Sequence, residues 1–117
     1  MSDTDNIQQK IDDLTNVLLE KLPGQLAEIR RLFEVLREET SPHEDTIENM
    51  YIIAHKYAGS AGSFGLDEIG QCFHDLEQSL NNYSGTFPID MNDDHPRQIM
   101  KLIDTTDKAI SERLHNI

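Results

Sequence analysis

Thr46–Leu80 reads TIENMYIIAHKYAGSAGSFGLDEIGQCFHDLEQSL, and the fold turns on this stretch. Ile47, Met50, Ala54, Tyr57 and Ala61 recur at intervals of three and four, the spacing of one buried helical face. After Gly62-Ser63-Phe64-Gly65 the pattern resumes with Ile69, Cys72, Phe73, Leu76 and Leu80. Asp67 and Glu68 open this second segment, where acidic side chains complement the positive end of a helix dipole. Two amphipathic helices joined by so short a turn run antiparallel, each burying its stripe against the other.

Working upstream, Ser41-Pro42-His43-Glu44 reads as a helix start. Ser41 is placed to cap, Pro42 fits the first helical position, and Glu44 completes a capping box. Further back, Leu26, Ile29, Phe33 and Leu36 mark a helix that ends in the polar run Glu38–Ser41. Pro23 disfavours helical geometry at Leu22, so a break or kink is expected there. Ile7, Ile11, Leu14 and Leu18 then form a separate N-terminal helix, behind a polar, flexible tail over residues 1–5. Downstream, Asn81–His95 is a loop rich in Asn, Asp, Gly and Pro, and Pro96 opens a last helix carrying Ile99, Ile103, Ile110 and Leu114. The expected fold is all-α, an up-and-down four-helix bundle with an additional N-terminal helix, residues 6–117 forming a single domain.

The chain of 117 residues suits one compact domain. A formal net charge of −12 repels nucleic-acid phosphates and anionic lipid, whose binding relies on Lys and Arg displacing counterions. No nucleic acid and no membrane is expected as a partner. No apolar run approaches the length of a bilayer span, and Met1–Lys10 does not read as a signal or transit peptide, so a cytoplasmic location is expected. The one cysteine, Cys72, forms no intrachain disulfide and reads as a small apolar residue. His43, His74, His95 and His115 lack ligand spacing such as His-x-x-x-His, so no metal site is expected.

Chemistry concentrates at His55. At about 100° per residue, its side chain points roughly 120° from the stripe centred near Ala54 and Tyr57. Gly59 and Gly62 follow on nearly the same flank, each costing on the order of 1 kcal/mol relative to Ala in a helix. Bare backbone beside the imidazole lets a bulky partner approach. With the turn centred near Gly65 and Leu66, antiparallel packing sets Glu77 opposite His55 and Gly70 opposite Gly62. A carboxylate accepting a hydrogen bond from Nδ1–H fixes the tautomer and leaves Nε2 as an outward lone pair. This is a nucleophile with an orienting group, sufficient for phosphoryl transfer when a partner supplies the metal. Gly62 also serves close helix packing. Ser60 reads as a serine bonding back to a carbonyl one turn earlier. Lys56 reads as a surface lysine or as a contact to an acidic partner pocket. Tyr51 and Ile52, one turn before His55, are either a docking patch or the edge of the core.

The run Ala54-His55-Lys56-Tyr57-Ala58-Gly59-Ser60-Ala61-Gly62-Ser63-Phe64-Gly65-Leu66 resembles the signature of histidine-containing phosphotransfer (HPt) domains, of the stand-alone bacterial type. Cys72 and Leu76-Glu77 resemble the helix that presents an acidic or amide residue to the histidine. The resemblance is specific over Ile53–Leu80. It implies a phosphocarrier that takes a phosphoryl group on His55 from a receiver-domain aspartate or hybrid sensor histidine kinase and passes it to a response regulator. It also implies no cofactor of its own, Mg²⁺ being held by the partner receiver. With no nucleotide-binding motif the chain is not expected to be an enzyme, and a monomer is expected. One departure stands out: the family usually places Lys or Arg three residues after the histidine, and here that residue is Ala58. The departure keeps open an alternative, a helical adaptor that binds a receiver or kinase without carrying phosphate.

Overall fold

The computed structural model describes residues 3–38, 44–85 and 87–116. Among the described residues the chain forms four helices: α1 (Asp3–Glu38), α2 (Glu44–Ser63), α3 (Asp67–Asn81) and α4 (Asp94–His115). No strand occurs among the described residues. α1 packs on α2, α2 on α3, α3 on α4 and α4 back on α1, which closes an up-and-down four-helix bundle. The stripes expected from sequence line its interior. Leu19, Leu22, Ile29, Phe33 and Leu36 face Met50, Ala54, Phe73, Leu76, Leu80, Ile99, Ile103 and Ile110, all buried. No described helix is long and apolar enough to cross a membrane.

The turn between α2 and α3 sets the register of the site. Gly65 adopts φ 76, the left-handed conformation that ends helices and favours glycine. The Leu66 amide donates to the Ala61 carbonyl at 2.8 Å and the Gly65 amide to the Gly62 carbonyl at 3.1 Å. These two bonds form a Schellman cap, and buried Leu66 supplies its hydrophobic contact. Beyond the turn the helices close tightly at Gly70. A Cβ there would stand 3.1 Å from the Gly62 amide nitrogen and 3.3 Å from the Ala58 carbonyl oxygen. The close approach expected of Gly62 and Gly70 is present, with Gly70 as the member that requires it; a Cβ on Gly62 would meet nothing.

Two expectations about the N-terminal third are corrected. Pro23 does not divide it: α1 is one helix of 36 residues with Pro23 inside, and the separate N-terminal helix is its first half. A proline in a helix interior costs about 3 kcal/mol. Burial of Leu22 and Leu26 at about 1.5–3 kcal/mol each outweighs this, and Pro23 itself faces solvent. α1 begins at Asp3. Second, the stripe Ile7, Ile11, Leu14 and Leu18 is buried only at its last member. Ile7, Ile11 and Leu14 are 58%, 42% and 54% exposed. The helix of 36 residues is about 54 Å long, against about 33 Å for α4, so its first turns overshoot the bundle. The long dimension of the molecule, 61 Å against 24 and 19 Å, reflects that arm. The capping box Ser41-Pro42-His43-Glu44 lies outside the described residues and side chains.

The loop from α3 to α4 is tied down. Ile89 is buried and donates its amide to the Leu36 carbonyl at 2.9 Å. His95 Nε2–H donates to the Ser79 carbonyl at 2.8 Å, and its ring meets Tyr83 edge-on. α4 starts two residues before Pro96, which sits buried in the first turn.

Candidate functional site

His55 projects from the middle of α2, its side chain 68% exposed, on the face turned from Ala54 in the core. Tyr51, one turn earlier, stacks on the imidazole with ring centroids 5.7 Å apart and planes at 10°. Across the groove, Glu77 of α3 places Oε2 2.7 Å from His55 Nδ1. An ionised carboxylate only accepts, so Nδ1–H is the donor and Nε2 carries the lone pair toward solvent. The Schellman turn puts these two side chains in register, and the absent Cβ of Gly70 lets the helices come close enough for the bond.

Glu77 lies deeper than a flank position suggests. Its side chain is 7% exposed because imidazoles cover it from two sides. His74, on its own helix, donates Nδ1–H to Oε1 at 2.9 Å. Both carboxylate oxygens are thereby engaged, which offsets the cost of withdrawing the charge from water. Metal-ligand spacing gives no reason to single out His74. The signal that finds it is the i, i+3 relation to Glu77, which puts both on one helical face.

A shallow hollow runs beside the imidazole, lined by His55, Gly59 and Gly62 of α2 and by Gln71, His74 and Glu77 of α3. A Cβ on Gly59 or Gly62 would meet nothing within 4 Å, so neither is demanded by packing at its own position. Ala58 also lines the hollow, and no Lys or Arg does. Ile52 is 53% exposed beside the histidine, while Tyr51 is half-buried and packs on the core, so the pair joins docking patch and core edge.

Lys56 and Ser60 stand elsewhere. They line a second groove, on the other flank of α2, with Leu14, Val17, Leu18, Lys21 and Phe64. Lys56 Nζ lies 5.3 Å from the centroid of the Tyr57 ring. The back-bond expected of Ser60 is found at Ser63, whose Oγ donates to the Gly59 carbonyl at 2.9 Å. Cys72 is half-buried, and burial, then Glu68 and Asp75, push its thiol pKa up, so it stays a protonated thiol near neutral pH. No cluster of His, Cys, Asp and Glu suited to a metal occurs among the described residues.

The site can bind an electrophile in line with Nε2, hold the ring in one tautomer and stabilise positive charge on it. A family model described as Hpt domain matches residues 13–113, nearly the whole chain. No curated protein and no solved structure matches it.

Proposed function

Because this chain belongs to the Hpt domain family, whose members serve phosphotransfer in two-component phosphorelays, we propose that His55 is its phosphoacceptor. Nε2 attacks the phosphorus of a receiver-domain aspartyl phosphate. The N–P bond forms as the acyl P–O bond breaks, and the aspartate carboxylate leaves. Nδ1–H stays on Glu77 throughout, and the carboxylate faces the positive charge that spreads over the ring. Discharge to a second receiver reverses these bonds. The observation that carries the reading is the 2.7 Å contact from His55 Nδ1 to Glu77 on an otherwise exposed imidazole.

Gly59 and Gly62 keep the approach to Nε2 clear, and Tyr51 and Ile52 offer an apolar rim for the incoming domain. His74 holds the second oxygen of Glu77 and so sets the plane of the carboxylate. The chain acts as a carrier with a phosphohistidine intermediate rather than as an enzyme. Mg²⁺ and the charge-neutralising groups come from the partner receiver, in keeping with a hollow that has no Lys or Arg. The donor is a receiver aspartate of a hybrid sensor histidine kinase, and the setting is the cytoplasm, where such receivers act.

Incubation with a phosphorylated receiver tests the reading. An adduct of one phosphoryl group per chain, acid-labile and base-stable, is expected on the wild type and not on His55→Gln. The hollow without Lys or Arg favours one rival, an adaptor that binds the receiver and stays unmodified. A complex with the phosphorylated receiver but no adduct would select it.

A further inference from the structure

The second groove and the arm of α1 belong to one surface. Every side chain from residue 5 to residue 14 is exposed, and Thr15 is the first buried one among the described side chains of α1. These ten residues are solvated, and isolated segments of that length are marginal helices in water. Yet Ile7, Ile11, Leu14 and Leu18 fall at i, i+4, i+7 and i+11, the alternating d and a positions of a two-stranded coiled coil. A monomer leaves Ile7, Ile11 and Leu14 in water. We infer that the arm pairs with the arm of a second copy of this chain, antiparallel and crossing near Leu14.

Charge placement favours a copy of the same chain. At 100° per residue, Asp12, Asp13 and Glu20 lie about 130° or more from the centre of the stripe. The seam is flanked by Gln8 and Thr15 on one side and by Lys10 and Val17 on the other. Between Ile7 and Leu18 no carboxylate stands on it, so two chains of net charge −12 meet along that stretch without a like-charge contact. The antiparallel sense follows from the same charge. It sends the two acidic bundles to opposite ends of the paired arms, whereas parallel pairing crowds them at one end. It also sets Lys10 against Val17 of the second copy.

The crossing lays the tip of each arm, with Ile7, along the groove of the other copy. That groove continues the stripe: Leu14, Val17 and Leu18 pass into Tyr57 and Phe64, with Lys21 and Lys56 at the rim. The overlapped arms alone form a footprint of about 25 Å by 10 Å on each copy. This is short of the roughly 1,000 Å² that marks a stable interface, so the dimer is weak and concentration-dependent even with the groove filled. The residues of this groove are distinct from those of the His55 hollow, and dimerisation leaves His55 open.

Sedimentation velocity on the full chain over a concentration series tests the pairing. The expected result is a shift from monomer to dimer mass, abolished by Ile11→Asp with Leu14→Asp while circular dichroism and melting of the bundle stay unchanged. In a Cys72→Ala background, mixing Ile7→Cys protein with Lys21→Cys protein should give a crosslinked heterodimer on oxidation. Monomer at every concentration, or a dimer that survives the double Asp variant, overturns the inference. So does crosslinking of Ile7→Cys only to itself, which signals parallel arms. A chain that remains monomeric while the arm is protected from proteolysis by an added receiver, or by lipid vesicles, also overturns it.

Discussion

The α2–α3 hairpin and the first half of α1 carry the same periodicity of apolar residues but differ in what the periodicity means. In the hairpin each stripe meets another across a turn, and the register of that turn delivers Glu77 to His55 at 2.7 Å. In the arm, Ile7, Ile11 and Leu14 keep the spacing and lie open to water. Periodicity identifies the face of a helix that wants a partner; the turn, or its absence, decides whether the chain itself supplies one. Within α1 the change falls between Leu14, 54% exposed, and Leu19, fully buried, little more than one turn apart.

Substitutions on the two sides of that boundary should therefore diverge. Leu22→Ala removes a fully buried side chain from the bundle and should cost about 2–5 kcal/mol in chemical denaturation. A loss under about 1 kcal/mol would mean that Pro23 already loosens the packing there. Glu77→Ala frees the His55 tautomer and should slow phosphoryl transfer from a receiver by roughly 10- to 100-fold, by analogy with the loss of a carboxylate that orients a metal-bound histidine. Stopped-flow or gel-resolved transfer rates read it, and an unchanged rate would reduce the hairpin register to mere packing.

The two glycines of the hairpin should separate as well. Gly70→Ala drives a Cβ to 3.1 Å from the Gly62 nitrogen and should destabilise the fold by about 1–3 kcal/mol. Gly59→Ala adds a Cβ in open space and should stabilise the fold by about 0.5–1 kcal/mol. Thermal melts of both variants check the pair, and equal effects would contradict the close approach at Gly70. Smallest of all, Leu14→Ala in dilute protein should leave stability within about 0.5 kcal/mol of wild type. A larger loss would show that the arm folds back on its own bundle.

What could be read from sequence follows the same division. The His55–Glu77 pairing was legible because a short turn leaves two antiparallel helices almost no freedom of register. The continuity of α1 through Pro23 was not, because a local cost of about 3 kcal/mol is decided by burial of Leu22 and Leu26, which only the assembled bundle provides. The burial of Glu77 was hidden for a related reason. On its own helix it sits at the edge of the stripe, and the rings of His55 and His74 complete its cover. Exposure of the arm was also unreadable, since spacing carries no information on the lengths of the other helices.

Nitrogen-resolved NMR of the phosphorylated chain tests the central claim most directly, because ¹⁵N–³¹P coupling reports which imidazole nitrogen holds phosphorus. The account requires one phosphorus, on Nε2 of His55, with Nδ1 still protonated. Phosphorus on Nδ1 of His55, on His74, or on no histidine after exposure to a phosphorylated receiver would contradict it.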